Sequence, residues 1–317
     1  MDCTDRHERF FLRLISKNVL LYTEMIVSEA ISRGDKKKLL AFNLNEKPLA
    51  LQVGGSSAKL LAEAAKTGED FGYDEINLNL GCPSRKVQKN KFGACLIKEP
   101  NLVADCLTEM MASCSIPVTV KTRIGYDDVE DYESLNNFIK ILKKTGVKTF
   151  IIHARKAMLG KFTPKQNLNI PPLKYDIVYR LKKDFPEEEV IINGGINSIY
   201  QIKNHLEKVD GVMIGRSVYH SPYFLAEIER EIFNNDNISS RKEIIENLIP
   251  YVKSEIKKGT RLNQIMRHTI GLFHGQTGAN FWKKYLSENM CVRDADVQKI
   301  NHIIDKITFN HLERSVS

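Results

Sequence analysis

Short segments of alternating hydrophobicity recur along the first 215 residues, and amphipathic segments lie between them. Alternation with a period of two is typical of β-strands, whereas apolar residues three or four positions apart are typical of helices. The strand predictions cover residues 20–26, 49–55, 75–81, 117–123, 149–155, 190–195 and 211–215. The helix predictions cover residues 4–16, 56–66, 101–112, 132–144, 175–183 and 198–207.

Regular alternation of strands and helices predicts βα units and therefore a parallel sheet. Seven strands are predicted, and the helix at 4–16 has no strand before it. An α/β fold of the (β/α)8 TIM-barrel type, with its first strand missing at the N-terminus, explains this order better than an open sheet. Residues 228–240 turn polar and mark a boundary. Helices are then predicted at 241–258, 261–272, 279–288 and 295–312. We expect a barrel domain over 1–235 and a small C-terminal all-α helical domain over 241–317.

Five polar residues lie at or near the carboxyl ends of different predicted strands. Active sites of barrels are assembled from these strand ends and from the loops that follow them. One such residue could be a hydrogen-bonded core group, but five at the same end favour a ligand site. They are Gln52, Asn79, Lys121, His153 and Asn193.

Cys82 follows the predicted strand at 75–81 and precedes Pro83. Proline disfavours a helical conformation in the residue before it, so the thiol is expected on an extended corner beyond the strand. An isolated cysteine is more often buried and inert, but its place beside the predicted ligand site favours a functional role. Two loops, 82–98 and 156–174, are longer than a βα connection requires and are predicted to bind ligands. For the second loop, a flexible basic connection is the alternative.

Two turns that contain glycine end the last two predicted strands. Phosphate groups bind to many barrels at this place, where backbone N–H groups meet a helix N-terminus. The order of the two turns therefore predicts a phosphorylated cofactor. The turn residues are Asn193, Gly194 and Gly195 in the first, and Gly215 and Arg216 in the second.

The net charge of +8 is concentrated near the C-terminus. Residues 241–317 contain 13 Lys and Arg against 8 Asp and Glu, whereas residues 1–240 contain 34 against 31. A basic module beside a nearly balanced body suggests a polyanionic partner such as nucleic acid, although a solvated helical face can have the same composition. Trp282 is predicted to pack in the core of this module, and Lys283 and Lys284 to face solvent or phosphate.

Other features exclude several classes of protein. No apolar run approaches the about 20 residues that cross a membrane, and the charged N-terminus lacks the apolar centre of a signal peptide. The six cysteines show no CxxC pair, which predicts reduced thiols and a cytoplasmic location, with an organelle interior also open. No Cys and His cluster has the spacing of metal ligands, so no metal is expected.

Taken together, these motifs resemble those of the tRNA-dihydrouridine synthases, and within them the bacterial A-type subfamily. The resemblance covers essentially the whole chain and rests most specifically on NLNLGCPS, KTRIG, HARKA and NGGI, in this order. It implies a flavin-binding barrel followed by a helical tRNA-binding domain. It also implies the reduction of uridines 20 and 20a of the tRNA D-loop to dihydrouridine, with FMN as cofactor and NADPH as reductant. We expect the complete protein to be monomeric.

The resemblance implies a role for each candidate residue. Cys82 would be the general acid that protonates C5 of the uracil after FMN delivers hydride to C6. A free thiol suits this step because its pKa of about 8.5 keeps the proton bound at neutral pH. The implied flavin contacts are Gln52, Lys121, His153, Asn193, Gly194, Gly195, Gly215 and Arg216. The implied contacts to the substrate tRNA are Arg155, Lys156, Lys165, Asn167, Lys283 and Lys284, and Asn79 would bond either the uracil or the flavin.

Two departures from the family pattern bear on these expectations. The family's first strand ends in Ala-Pro-Met, of which only Met1 corresponds here, and a start assigned too late explains this better than a truncated product. The loop sequence Lys165-Gln166-Asn167-Leu168 lacks an arginine that A-type relatives often carry after the asparagine. Two other functions are kept as alternatives. One is a non-catalytic tRNA-binding protein, and the other is a small-molecule flavin oxidoreductase of the dihydroorotate dehydrogenase type.

Overall fold

The computed structural model describes residues 3–129 and 131–290. These residues form two compact units. The first runs from Leu20 to Ile214, and the second combines the segment before Leu20 with the chain from Gly215 onward. This division differs from the boundary predicted at 235–241. The N-terminal helix α1 (Arg6–Ile15), predicted as part of the barrel domain, belongs with the C-terminal helices.

All pairs of strands in the first unit are parallel, and after two short initial strands each strand pairs with the next one along the chain. Two short strands, β1 and β2, both pair with β3 and so occupy one position in the sheet. The seven strand positions confirm the seven predicted strands and the α/β fold class. The strands are β1 (Leu21–Tyr22), β2 (Ile26–Val27), β3 (Leu49–Gly54), β4 (Glu75–Asn79), β5 (Val118–Arg123), β6 (Thr149–His153), β7 (Glu189–Asn193) and β8 (Gly211–Met213).

A side chain interrupts the first predicted strand. The hydroxyl of Thr23 accepts a hydrogen bond from the backbone N–H of Gln52 at 2.9 Å, in the place of a backbone carbonyl. The same hydroxyl donates to the carbonyl of Glu24 at 2.8 Å. Because the ladder loses a backbone acceptor at this point, the predicted strand at 20–26 divides into β1 and β2.

Helices connect the strands of the first unit, mostly close to their predicted bounds. Several begin at a side-chain cap, as at Ser57, Asp131 and Ser198, whose oxygens accept from backbone N–H groups of the first turn. Four short helices, α2, α3, α5 and α8, and 3₁₀ helices at Leu44–Glu46 and Gly93–Lys98 had no predicted counterpart. The helices are α2 (Ser28–Arg33), α3 (Lys36–Leu40), α4 (Ala58–Phe71), α5 (Arg85–Lys89), α6 (Pro100–Ser113), α7 (Tyr132–Lys143), α8 (Pro164–Asn169), α9 (Tyr175–Asp184) and α10 (Ile199–Leu206).

The second unit is helical, as predicted for the C-terminal part. Trp282 is buried, and its indole N–H donates to the carbonyl of Thr269 at 2.9 Å, which confirms its predicted place in a core. The predicted helix at 295–312 lies outside the described residues. After α1, the helices of this unit are α11 (Arg216–His220), α12 (Phe224–Phe233), α13 (Arg241–Lys257), α14 (Leu262–Met266), a 3₁₀ helix (Arg267–Gly271) and α15 (Ala279–Asn289).

Specific contacts hold α1 in the second unit. The ring of Phe10 stacks on Tyr251 of α13 with 3.9 Å between ring centroids. At the start of the helix, Asp5 forms an ion pair of 2.7 Å with Arg267. Aromatic stacking and ion pairing to distant parts of the sequence explain why α1 packs here, and such contacts cannot be read from the helix's own periodicity.

Candidate active site

The polar residues at the strand ends lie in neighbouring positions of the sheet. Asn79 is in register with Lys121 between β4 and β5. One step further along, Arg123, His153 and Asn193 are in register across β5, β6 and β7. Because these strands are parallel, their carboxyl ends form a single edge. The structure therefore brings together the candidates that the sequence placed on separate strands.

Asn79 holds the backbone that carries the candidate thiol. Its side-chain oxygen accepts hydrogen bonds from the backbone N–H groups of Gly81 at 3.1 Å and Cys82 at 3.0 Å. Cys82 itself is half-buried and not in a disulfide. The amide of Asn79 thus sets the corner that was predicted from Pro83.

The loop at 82–98, called here the thiol loop, folds back onto Cys82. The backbone N–H of Ala94 donates to the carbonyl of Cys82 at 3.0 Å. Gly93, with φ of 73°, lies so close that a Cβ there would be 2.7 Å from the same carbonyl oxygen. Only glycine combines this backbone conformation with this approach. The start and the middle of the thiol loop are consequently packed together around Cys82.

Gln52 and Asn79 belong to one chain of amide hydrogen bonds. The side-chain N–H of Asn79 donates to the side-chain oxygen of Gln52 at 2.7 Å. Gln52 in turn donates to Asn77 at 2.9 Å, and Asn77 donates to the hydroxyl of Thr119 at 2.8 Å. Each side-chain amide has two N–H bonds and two lone pairs, so Gln52 and Asn79 are oriented by this chain without being saturated.

Lys121 is a buried cation next to Asn193. Its ammonium donates to the side-chain oxygen of Asn193 at 3.0 Å, and Asn193 donates to the carbonyl of Met213 at 2.9 Å. Burial, together with the neighbouring Arg123 cation, lowers the pKa of Lys121 to about 8, while Cys82 acts in the opposite direction. No carboxylate in the described ranges is within ion-pair distance of Lys121. This environment fits an anionic ligand such as a reduced flavin.

His153 and the turn at Gly194 and Gly195 are in close contact. A Cβ on Gly194, whose φ is 125°, would lie 2.8 Å from the His153 ring and 2.9 Å from Leu173. The hydroxyl of Tyr175 donates to the carbonyl of Gly194 at 2.6 Å. The turn therefore requires glycine, and its predicted contact with a phosphate remains a prediction.

The loop at 156–174, called here the basic loop, contains three of the predicted substrate residues, Lys156, Lys165 and Asn167. Lys156 is half-buried and Lys165 is exposed on α8. The guanidinium of Arg155 donates to the carbonyls of Asn169 and Pro171 and so holds the loop. The basic loop therefore contains one exposed cation, Lys165, among the predicted substrate contacts in this part of the chain.

Asn167 is buried, whereas its predicted contact with tRNA suggests an exposed side chain. It is 0% exposed. Its side-chain oxygen accepts from the N–H of Met158 at 2.7 Å, and its side-chain N–H donates to the carbonyl of the same residue at 3.1 Å. Asn167 therefore stabilises the conformation of the basic loop, and it can affect a substrate only indirectly, through that conformation.

Four predicted site residues belong to the second unit. Gly215 and Arg216 are exposed at the start of α11, and Lys283 and Lys284 are exposed on α15. Their predicted contacts with phosphate and tRNA remain predictions.

Sequence reasoning missed Arg123 as a site residue. It ends β5, two positions after Lys121, and is only 3% exposed. Its side chain donates to the carbonyl of Gly81 at 2.8 Å, immediately before the thiol loop. The period of two along a strand could have identified it, because residues two apart lie on the same face as Lys121.

Two further observations concern metal ions and membranes. Within residues 3–129 and 131–290, no group of three or more His, Cys, Asp or Glu side chains could hold a metal ion. Among the same residues, no helix combines the length and the apolar character that membrane crossing demands.

Comparisons with known proteins agree on one family. The profile of the family described as dihydrouridine synthase (Dus) matches residues 1–308. The chain is 51% identical to a tRNA-dihydrouridine(20/20a) synthase of Synechocystis sp. over 93% of its length and 89% of the relative. It is 50% identical to the protein of the same name from Escherichia coli K12, over 96% of this chain and 88% of that one.

A comparison of solved structures supports the barrel fold. The structure of morphinone reductase in complex with tetrahydroNAD matches with a TM-score of 0.50 at 10% sequence identity. The match covers 76% of this chain and 84% of that one. At this identity the likeness shows the fold alone, and it agrees with the predicted (β/α)8 class.

Proposed function

The chain belongs to the dihydrouridine synthase family, and we propose that it reduces uridines 20 and 20a of the tRNA D-loop to 5,6-dihydrouridine. The names of relatives about half identical over nearly the whole chain support this substrate. The observation that carries the proposal is the position of Cys82. Asn79 holds it at a strand end, beside the buried cations of Lys121 and Arg123.

The residues around Lys121 fit FMN. When bound, FMN supplies the hydride that reaches C6 of the uracil, and NADPH restores the reduced flavin. Lys121 would offer an ammonium to an anionic ring, and the side-chain amides of Gln52 and Asn193 would offer further hydrogen bonds. The turn at Gly194 and Gly195 offers backbone N–H groups to the phosphate.

Cys82 supplies the proton for the other carbon of the double bond. The S–H bond breaks, C5 of the uracil gains the proton, and the C5=C6 bond becomes a single bond as C6 gains hydride. The sulfur is left as a thiolate and regains a proton from solvent. The nearby guanidinium of Arg123 and ammonium of Lys121 stabilise this negative charge in a partly buried site.

The target uridine must leave the folded tRNA to reach this site. Extruding a base from the folded tRNA costs roughly a few kcal/mol, and protein contacts to the phosphate backbone offset that cost. Exposed lysines offer such contacts, Lys165 in the basic loop and Lys283 and Lys284 on α15.

A cysteine substitution tests the proposal. Cys82→Ala should bind tRNA normally but form dihydrouridine about 100 to 10,000-fold more slowly, since general acids contribute roughly this factor. The product is quantified by mass spectrometry of nucleosides from treated tRNA. Cys95→Ala is the matched control, because Cys95 lies in the same thiol loop and, among the described residues, its thiol donates to the carbonyl of Phe92.

Two outcomes would contradict the proposal. A normal rate for Cys82→Ala would show that another group donates the proton. A wild-type protein that binds FMN, oxidises NADPH and yet leaves tRNA uridines unreduced would contradict the substrate.

A further inference from the structure

Arg123 is a buried arginine at the end of β5, and its contacts reach two loops. It is in register with His153 of β6 and is 3% exposed. Across the part of the chain that the structure describes, it has no carboxylate partner. A buried cation without a counter-ion is costly, so its carbonyl partners must compensate for the lost water.

The partners of Arg123 are backbone carbonyls on both sides of the site. Nε donates to the carbonyl of Gly81 at 2.8 Å, next to Cys82. Nη1 donates to the carbonyl of Lys156 at 3.0 Å, and it reaches that of Asn167 at 3.3 Å. One planar guanidinium therefore joins the start of the thiol loop to two points of the basic loop.

Arg123 stays cationic while it makes this bridge. Burial, with the nearby Arg155 cation, lowers its pKa to about 10, and Cys82 acts in the opposite direction. At neutral pH all of its N–H groups remain donors. A lysine could not reproduce the bridge, because an ammonium lacks the flat, forked arrangement of donors.

We infer that Arg123 is a positioning residue that fixes the thiol loop and the basic loop in one arrangement, and so places Cys82 against the substrate uracil. The inference rests on the proposed function for the role of Cys82. The loop coupling itself can be measured without any reaction.

Hydrogen exchange measured by mass spectrometry on the FMN-bound protein tests the coupling. In Arg123→Met, peptides from both loops should exchange about tenfold faster or more, because bonds to a charged donor are lost in each. In Arg155→Met, the basic loop should exchange faster and the thiol loop should not, since the guanidinium of Arg155 donates to the carbonyls of Asn169 and Pro171 within the basic loop. Arg180→Lys, on the exposed face of α9, should match the wild type.

Single-turnover formation of dihydrouridine tests the consequence. Arg123→Met should lose about 100-fold in rate, as expected for a misplaced reacting group, with the loss in kcat rather than in KM for tRNA. Arg123→Lys keeps the charge and should recover only part of the rate.

Unchanged exchange of the thiol loop in Arg123→Met would overturn the inference. If Arg123→Met does not fold, Arg123→Lys provides the test. The inference would be overturned if both loops of Arg123→Lys exchanged at the wild-type rate and the variant were fully active. A wild-type protein without synthase activity would instead contradict the proposed function, while the exchange result would still decide whether the loops are coupled.

Discussion

At the scale of single residues, the site depends on backbone groups held by side chains. Asn79 orients the N–H of Cys82, and Tyr175 orients the carbonyl of Gly194. Because a trans peptide is planar, holding the Gly194 carbonyl on one side turns the N–H of Gly195 to the other. Burial raises the pKa of Tyr175, so its hydroxyl stays protonated and remains a donor.

Removing that hydroxyl should weaken FMN binding. A hydrogen bond of this kind contributes about 1 kcal/mol, so Tyr175→Phe should raise the Kd for FMN about fivefold. The affinity is measured by the quenching of FMN fluorescence on titration with apoprotein.

Tyr179→Phe is the control for this measurement. Tyr179 lies on the same helix, but its hydroxyl pairs with Nδ1 of His205 at 2.7 Å instead of with the turn. An equal loss of FMN affinity in both variants would argue that the effect comes from general loosening of α9.

At the scale of elements, α1 shows how tertiary contacts decide which unit a helix joins. Its first turn faces His268, a buried imidazole on the 3₁₀ helix of the second unit. Nε2 of His268 lies 3.0 Å from Asp5, and Nδ1 lies 2.9 Å from Glu8. Arg267 also pairs with Asp5. Burial opposes the charge on His268, but the two carboxylates outweigh it and raise the pKa to about 9.

The stability of the second unit should therefore depend on pH above neutrality. The folded pKa lies above the unfolded value of about 6.5, so the contribution of His268 is complete below that pH and disappears as the pH rises through about 9. The charge on His268 contributes at most about 3 kcal/mol to the free energy of unfolding. The free energy of unfolding of the wild type should exceed that of His268→Gln at pH 6, and the two should converge near pH 10.

Trp282, the chain's single tryptophan, lies in the second unit and makes its urea unfolding measurable by fluorescence. His274→Gln, at an exposed histidine of the same unit, serves as the control. If the difference in the free energy of unfolding between wild type and His268→Gln stayed constant from pH 6 to pH 10, a positive charge on His268 would be contradicted.

At the scale of the whole molecule, charge is divided unevenly along the chain. The last 77 residues have 13 basic against 8 acidic side chains, and the preceding 240 are nearly balanced. Each phosphate contact releases counter-ions from RNA, which makes binding depend on salt. This asymmetry supports our proposal that the helical part contributes to tRNA binding while the barrel performs the chemistry.

The double variant Lys283→Gln/Lys284→Gln should weaken tRNA binding and reduce its salt dependence. The slope of log K against log salt should decrease by about 1 for each phosphate contact removed. Affinity is measured by filter binding at salt concentrations from about 50 to 300 mM. Lys140→Gln on α7, an exposed outer position of the first unit, is the control, and an identical loss there would contradict a specific role of α15.

Local patterns were sufficient for the framework and for the positions of several candidate residues. The strand order, most helix bounds, and Cys82, Lys121 and His153 at strand ends all follow from periodicity and from proline and glycine positions. These signals are local, because side chains alternate along a strand and backbone conformation depends on neighbouring residues. Family motifs then supplied the cofactor and substrate as expectations.

Contacts between residues far apart in sequence could be decided only by the tertiary structure. The bridge from Arg123 to Gly81 and Lys156, the burial of Asn167 and the attachment of α1 beside His268 have no local signal. Each depends on which backbone carbonyl or carboxylate comes near a buried polar group. Such groups must find partners wherever folding brings them, so three-dimensional packing, and not the order of residues, selects those partners.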